Sequence, residues 1–311
     1  MFRLIALLAV LGHCSLSAND PIREVTSQAT RVGGQLVPAF YKGYIYWVGL
    51  SGSNSSVTIY APDGHLALSF VTENGPVDSI AVDTDGTVAV AWGRWASKNG
   101  GGIDFRDGSG TLIKTIQTGR YLPAHISFAE DHSLWSLGCQ LDSADARQPD
   151  QHDYMTVRKY LPNGTEAGAY LPRSLFPPGM MEPGDVSWQR SSSIAVAHDR
   201  VGLWAFSGEN GDQTEWVELD LNGNLLGRWR LDQFSWDTRI AFTTDGHLFV
   251  QSREPQAPVL RLRALDRASS TWHTIEAPPI GRLESADGNA LVFSNFVKPG
   301  PMHLSWYQRP K

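Results

Sequence analysis

Three side chains with ligand or acid–base chemistry fall just before predicted strands: Asp78, His125 and Asp237. If those strands line one pore, two carboxylates and an imidazole could bind a hard divalent cation, since oxygen ligands suit Ca²⁺ and Mg²⁺. The alternative is structural, with the acids capping strands and pairing with arginines such as Arg239. The set lacks the short local spacing of a well-defined metal motif. Structural pairing is therefore the first interpretation and metal binding the second.

Aromatic side chains in predicted loops form the second candidate set. Trp95, Tyr121, Trp188 and Trp236 fall in segments that are expected to rim one face of the fold. Exposed aromatics anchor many binding sites, because they bury a large area at a small entropic cost. The alternative is that these loops fold over the sheet edges. The aromatic set favours a face that binds a protein, a peptide or a glycan.

The sequence lacks the common nucleophile and phosphate motifs. It contains neither a Gly-x-Ser-x-Gly elbow nor a Walker-type loop. Cys139 has no recognisable nucleophile context, so a buried or loop thiol is expected. The net charge of -6, without an uninterrupted basic cluster, argues against nucleic acid as a partner. We expect a non-catalytic protein without a cofactor; the alternative is a Ca²⁺- or Mg²⁺-dependent hydrolase or lyase.

The elements that position these residues are predicted by a repeat. An acidic turn between two apolar strands recurs, as in Ser79–Ala91 (SIAVDTDGTVAVA). A second hairpin with an Asp-Gly or Asn-Gly turn alternates with it, as in Val57–Phe70 (VTIYAPDGHLALSF). Such turns between alternating strands are the strongest short hairpin signal. Together the two hairpins make a four-stranded antiparallel unit of about 45 residues, which is the period of a propeller blade.

We therefore predict an all-β fold, a six-bladed β-propeller of four-stranded antiparallel blades in a single domain, residues 19–311. The sixth predicted blade has three strands of its own. The segment Ile22–Thr26 would supply its outer strand and close the ring, which removes an open edge. The predicted blades are approximately 34–71, 78–117, 125–171, 191–231, 238–275 and 282–307.

The Ile-Ala-Val-Asp-x-Asp-Gly and Pro-Asp-Gly pieces resemble the six-bladed propellers of the NHL and gluconolactonase-like group over nearly the whole chain after residue 18. For the enzymes of that group, the resemblance implies a metal site with one Glu, two Asn-type ligands and one Asp on separate blades. Asp78 lies at or next to one ligand position. The equivalent positions of the third and fourth blades hold His125 and Ser192, not asparagine. The resemblance therefore implies the propeller more firmly than the hydrolase.

The first 18 residues are typical of a secretory signal peptide. Arg3 precedes an apolar run that is too short to span a bilayer, and small residues up to Ala18 follow it. This predicts a secreted or periplasmic monomer that does not span the membrane. A lipid anchor on Cys14 is the minor alternative. Cys139 would then be the one remaining cysteine, so no internal disulfide is expected.

Overall fold

The computed structural model describes residues 22–27, 39–51, 54–74, 76–93, 100–142, 150, 152–176, 193–205, 214–231, 238–253, 260–275, 281–296 and 302–308. The predicted signal peptide, residues 1–18, and Cys14 within it lie outside these ranges. None of the described segments forms a helix long and apolar enough to cross a lipid bilayer.

The described residues form six four-stranded antiparallel sheets. The first five sheets each use four consecutive strands. The first contains β2 (Ala39–Tyr41), β3 (Tyr44–Ser51), β4 (Asn54–Tyr60) and β5 (Leu66–Thr72). The second contains β6 (Val77–Val82), β7 (Val88–Trp92), β8 (Gly101–Arg106) and β9 (Leu112–Gly119). The third contains β10 (Tyr121–Phe128), β11 (Leu134–Gln140), β12 (Met155–Tyr160) and β13 (Glu166–Pro172).

The remaining three sheets follow the same plan. The fourth contains β14 (Ser193–Val196), β15 (Arg200–Ala205), β16 (Thr214–Asp220) and β17 (Leu225–Leu231). The fifth contains β18 (Arg239–Phe242), β19 (Leu248–Arg253), β20 (Leu260–Asp266) and β21 (Thr271–Thr274). The sixth contains β22 (Arg282–Asp287), β23 (Ala290–Phe296), β24 (Met302–Gln308) and β1 (Ile22–Ser27). One 3-10 turn, Arg173–Leu175, is the helical structure among the described residues.

The arrangement is a six-bladed β-propeller, as predicted. Within each of the first five sheets the strands pair in sequence order. The first strands of neighbouring sheets contact one another, β6 with β10, β10 with β14, and β18 with β22. The first strands therefore surround the centre of the ring, and the fourth strands form its rim. The hairpin repeat predicted the blades closely because each turn residue marks a strand boundary.

The N-terminal strand β1 lies at the outer edge of the sixth sheet. It pairs antiparallel with β24 over its full length, from Ile22 opposite Tyr307 to Ser27 opposite Met302. The sixth sheet consequently has four strands, in the order β1-β24-β23-β22. The two ends of the described chain thus share one ladder of backbone hydrogen bonds.

Apolar side chains fill the spaces between neighbouring blades. Trp204 and Trp216 of the fourth blade pack with Leu248 and Val250 of the fifth in one cluster. Similar clusters join every other pair of neighbours, including the sixth blade and the first. Burying one large apolar side chain contributes about 1.5–3 kcal/mol. The core is therefore divided among the blade junctions instead of forming one central cluster.

The recurring turn aspartates stabilise the turns themselves. Asp85 Oδ1 accepts the N–H of Thr87 at 2.8 Å, and Asp131 Oδ1 accepts the N–H of Ser133 at 3.0 Å. The backbone bond from Thr87 holds the pKa of Asp85 below its ordinary value. Asp287 departs from the pattern, since it ends β22 and accepts the indole N–H of Trp306 at 2.9 Å.

Removing residues 19–30 should lower the melting temperature or cause aggregation, because it deletes β1 and bares the edge of β24. Removing only residues 19–21 leaves β1 intact and serves as the control. Differential scanning calorimetry and light scattering measure both effects. An unchanged melt in the longer deletion would contradict the role given to β1.

Candidate functional site in the central channel

A cavity of about 200 Å³ lies at the centre of the ring, between the first strands of the blades. Apolar side chains such as Phe40, Ile194 and Ile240 form part of its wall. Its polar lining consists of Lys42, Ser127, Ser193, Thr238, Arg239, Glu284 and Ser285.

Three of the first strands carry a one-residue irregularity at the same place in the blade. It falls at Asp78 in β6, at Ala124 in β10 and at Glu284 in β22. Such a bulge redirects the extra side chain out of the regular alternation. Asp78 and Glu284 therefore occupy equivalent positions, and each precedes a serine, Ser79 or Ser285.

Glu284, at the bulge of β22, is the acidic residue among those that line the cavity. Its side chain is only 9% exposed. Ser294 Oγ donates a 2.5 Å hydrogen bond to Oε1, and Arg282 Nε lies 3.8 Å from the same oxygen. Burial raises the pKa of Glu284 to about 7, although the serine bond and the arginine charge both act against that rise. The group therefore titrates near neutral pH.

Two cations line the same cavity. Lys42 follows the last residue of β2, and its Nζ donates to the carbonyl of Phe128 at 2.9 Å. Arg239 is the first residue of β18, and its guanidinium donates to the carbonyl of Thr238 at 3.0 Å. Both bonds go to neutral backbone groups, so the positive charges are not neutralised by them. The cavity has two cations and one carboxyl group that is partly protonated at neutral pH.

Glu284 was not among the predicted site residues, although the sequence contains a signal for it. Leu283-Glu284-Ser285 repeats the apolar–acid–serine order of Val77-Asp78-Ser79 at the same place in its blade. The sixth repeat is degenerate around its turn, so the equivalence of the two triplets becomes clear only from the shared bulge. Lys42 has no comparable signal, because a lysine beside a glycine turn is common on surfaces.

Of the three residues predicted to bind a metal, two are described. Asp78 and His125 are half-buried on β6 and β10, and Asp237 lies outside the described residues. The Asp78 charge adds to the effect of burial in raising the pKa of Cys139, so the carboxylate lies near that thiol. Asp78 and His125 belong to no group of three metal-capable side chains within the described ranges.

One such group does exist within those ranges, at the turns after β6 and β10: Asp83, Asp85 and His132. Asp83 Oδ2 lies 2.8 Å from His132 Nδ1, and this hydrogen bond raises the pKa of the imidazole. The other oxygen of Asp83 accepts the N–H of Thr84 at 2.7 Å. These contacts tie two blade turns together, which accounts for the cluster without an ion.

The aromatic prediction is wrong for the side chain of Tyr121. This residue is fully buried in β10, and its hydroxyl donates to the carbonyl of Thr156 at 2.9 Å. The Arg158 guanidinium lies 4.1 Å from its ring centroid. Tyr121 therefore packs inside the third blade and offers no ring to a ligand. The other predicted aromatic positions lie outside the described residues: Trp95, Trp188 and Trp236.

Cys139 is a free, fully buried thiol in β11. Burial raises its pKa to about 12, and the negative charge of Asp78 adds to the rise. The reactive thiolate form is thus suppressed at neutral pH. This confirms the expected buried thiol.

No protein-family model and no curated protein matches the sequence. Among solved structures, the chain is similar to the β-propeller domain of the Trilobed protease from Pyrococcus furiosus, at 11% identity and a TM-score of 0.48, covering 87% of this chain and 81% of that one. It is also similar to TolB from Acinetobacter baumannii, at 12% identity and a TM-score of 0.46, covering 86% and 64%. The WD40 domain of Toxoplasma gondii coronin matches at 9% identity and a TM-score of 0.45, covering 94% and 85%.

Replacing Glu284 by glutamine should change the pH dependence of stability. Between pH 4.5 and about 7 the folded chain keeps a proton on Glu284 that the unfolded chain releases. The free energy of unfolding of the parent protein therefore falls as pH rises through this range, by up to about 3 kcal/mol from this group. Glu284→Gln lacks that component.

Urea unfolding at pH 4.5, 5.5, 6.5 and 7.5 measures this difference. Glu73→Gln, at an exposed position, is the control and should follow the parent protein. If the free energy of unfolding changes with pH in the same way for Glu284→Gln and the parent protein, the pKa of Glu284 is not raised by folding.

Proposed function

We propose that this chain is a non-catalytic β-propeller that binds a protein, peptide or glycan through one face. The observation that carries the proposal is that the connections between strands are short at one end of the sheets and much longer at the other end. Turns from first to second and from third to fourth strands span two to five residues. Connections from second to third strands, and from one blade to the next, reach 20 residues between Pro172 and Ser193. All of the long connections leave from the same end of the antiparallel sheets.

A rigid scaffold beneath the long connections favours binding over a purely structural role for them. The first strands are joined by hydrogen bonds from one blade to another. Ser79 Oγ accepts the N–H of Ile126 at 3.3 Å, and Ser285 Oγ accepts the N–H of Gly43 at 3.2 Å. Loops on a rigid scaffold commonly carry binding residues, because the scaffold reduces the entropy lost on association. The propeller fold by itself does not determine the ligand.

The second candidate function is a Ca²⁺- or Mg²⁺-dependent hydrolase with ligands at Asp78, His125 and Asp237. Its support is the position of Asp78 at a bulge next to the channel, since bulges often occur beside active sites. The first function is preferred because Asp78 and His125 do not line the described central cavity, whose charged residues are Lys42, Arg239 and Glu284. Two cations at the centre do not favour a divalent metal ion there.

Replacing Trp95 or Trp236 by alanine should weaken binding to a ligand by roughly 1–3 kcal/mol and leave the melting temperature unchanged. The ligand is first selected from a glycan array and a displayed peptide library, and its affinity is then measured by calorimetry. Trp272→Ala is the matched control, because Trp272 lies on the outer strand β21. Equal losses in all three variants would contradict a loop-face site.

Metal analysis distinguishes the second candidate. The enzyme predicts that the purified protein contains stoichiometric Ca²⁺ or Mg²⁺, that Asp78→Ala loses this metal, and that the protein hydrolyses members of a lactone panel. These results together would establish the enzyme instead of the binding protein.

We also propose that residues 1–18 direct export and are removed, so that the mature domain covers 19–311. The support is the order of basic, apolar and small residues before Asn19. N-terminal sequencing of exported protein should start at or next to Asn19. Exported protein that keeps its first 18 residues would contradict this.

A further inference from the structure

We propose that the central cavity is a binding site for a small organic dicarboxylate, held between Lys42 and Arg239. The site lies inside the ring and is separate from the loop face proposed above. Its lining comes from the first strands and the turn after β2, together with Trp204 of β15 and Thr238 just before β18.

The charge of the cavity is the first support. In the described parts of the chain, no carboxylate forms an ion pair with Lys42 or Arg239 within 4 Å. Each cation spends one donor on a backbone carbonyl, while an ammonium has three and a guanidinium has five. Donors therefore remain for an anion. This contrasts with the whole protein, whose net charge is -6.

The positions of the two cations indicate two anionic groups in the ligand. Arg239 is the first residue of β18, whereas Lys42 follows the last residue of β2. First strands run in the same direction around a propeller, so the two cations approach the cavity from opposite ends. A guanidinium pairs with a carboxylate through two parallel hydrogen bonds, and an ammonium acts as a point charge. A molecule with a carboxylate at each end satisfies both.

The size and the neutral lining restrict the ligand further. The cavity of about 200 Å³ is smaller than the roughly 300–1,000 Å³ that drug-sized ligands occupy. Ser193 lines it, and its buried Oγ has no hydrogen-bond partner among the described residues. A hydroxyl in that state can donate to a carboxylate oxygen. The lining therefore favours an acid of a few carbon atoms over a sugar or a peptide.

Glu284 makes the site sensitive to pH. Glu284 lines the same cavity as Lys42 and Arg239. The charged group next to its carboxyl is Arg282 on its own strand, whose Nε lies 3.8 Å from Oε1. Ser294 on β23 contributes a neutral hydrogen bond. When Glu284 ionises, it adds a negative charge to the lining of the cavity. Affinity for a dianion should therefore fall as pH rises through about 7.

Isothermal titration calorimetry with succinate at low salt, at pH 6 and pH 8, tests the proposal. We expect saturable binding at pH 6 that weakens at pH 8. Arg239→Gln and Lys42→Met should each weaken binding at least tenfold, and Arg239→Lys should restore part of it. Arg230→Gln, at an exposed position of β17, is the matched control and should bind as the parent does. Glu284→Gln should remove the difference between the two pH values.

Three results would overturn the proposal. One is the absence of heat with succinate in the folded parent protein. Another is equal binding by the uncharged diamide of succinate, which would show that charge is not recognised. The third is saturable binding of inorganic phosphate without binding of succinate, which would assign the cavity to a different anion. If Arg239→Gln does not fold, Lys42→Met and Arg239→Lys still decide the outcome.

Discussion

Each blade of this protein has two faces that need cover, and only a neighbouring blade on each side can cover both. The sheets meet through apolar contacts. For example, Trp216 of the fourth blade packs edge-on to Phe242 of the fifth, with 5.1 Å between the ring centroids. An open row of blades would leave the two end faces in water. The cluster of Ile45 and Trp47 with Val292 and Trp306 covers these faces by joining the first blade to the sixth. The ring is therefore a consequence of two-sided burial.

The same constraint determines where polar groups are tolerated. Near the rim, the buried acids of the described segments have several partners. Glu218, which is fully buried, accepts from the Trp216 indole at 2.7 Å and pairs with Arg200 and with Arg267 of the next blade. A buried charge without such partners would cost several kcal/mol. At the centre, the backbones approach closely, so small hydroxyls replace apolar side chains. Ser127 Oγ, for example, accepts the N–H of Val196 at 3.3 Å.

The fold could be predicted from the sequence because its signals are local. Asp-Gly turns such as Asp85-Gly86 need a backbone with positive φ, and Gly86 has a φ of 87°. The alternation of apolar residues around each turn then assigns strands. The site was predicted less well, because its residues meet only through the ring. Tyr121 looked like a loop aromatic, yet β10 begins at that residue and places the ring inside its blade. No local sequence pattern distinguishes a tyrosine in an exposed loop from a tyrosine that begins a buried strand.

The centre is also the part of the ring that packing constrains least, and this explains why its residues differ from blade to blade. The bulge position holds Asp78 in the second blade, Ala124 in the third and Glu284 in the sixth. Residues between blades must fit two sheets at once, whereas a side chain directed into a cavity has only to be solvated or paired. Charge can therefore vary there without loss of the fold. Lys42, Arg239 and Glu284 lie in this region, so the chemistry of the cavity is set by single residues and not by the repeat that builds the blades.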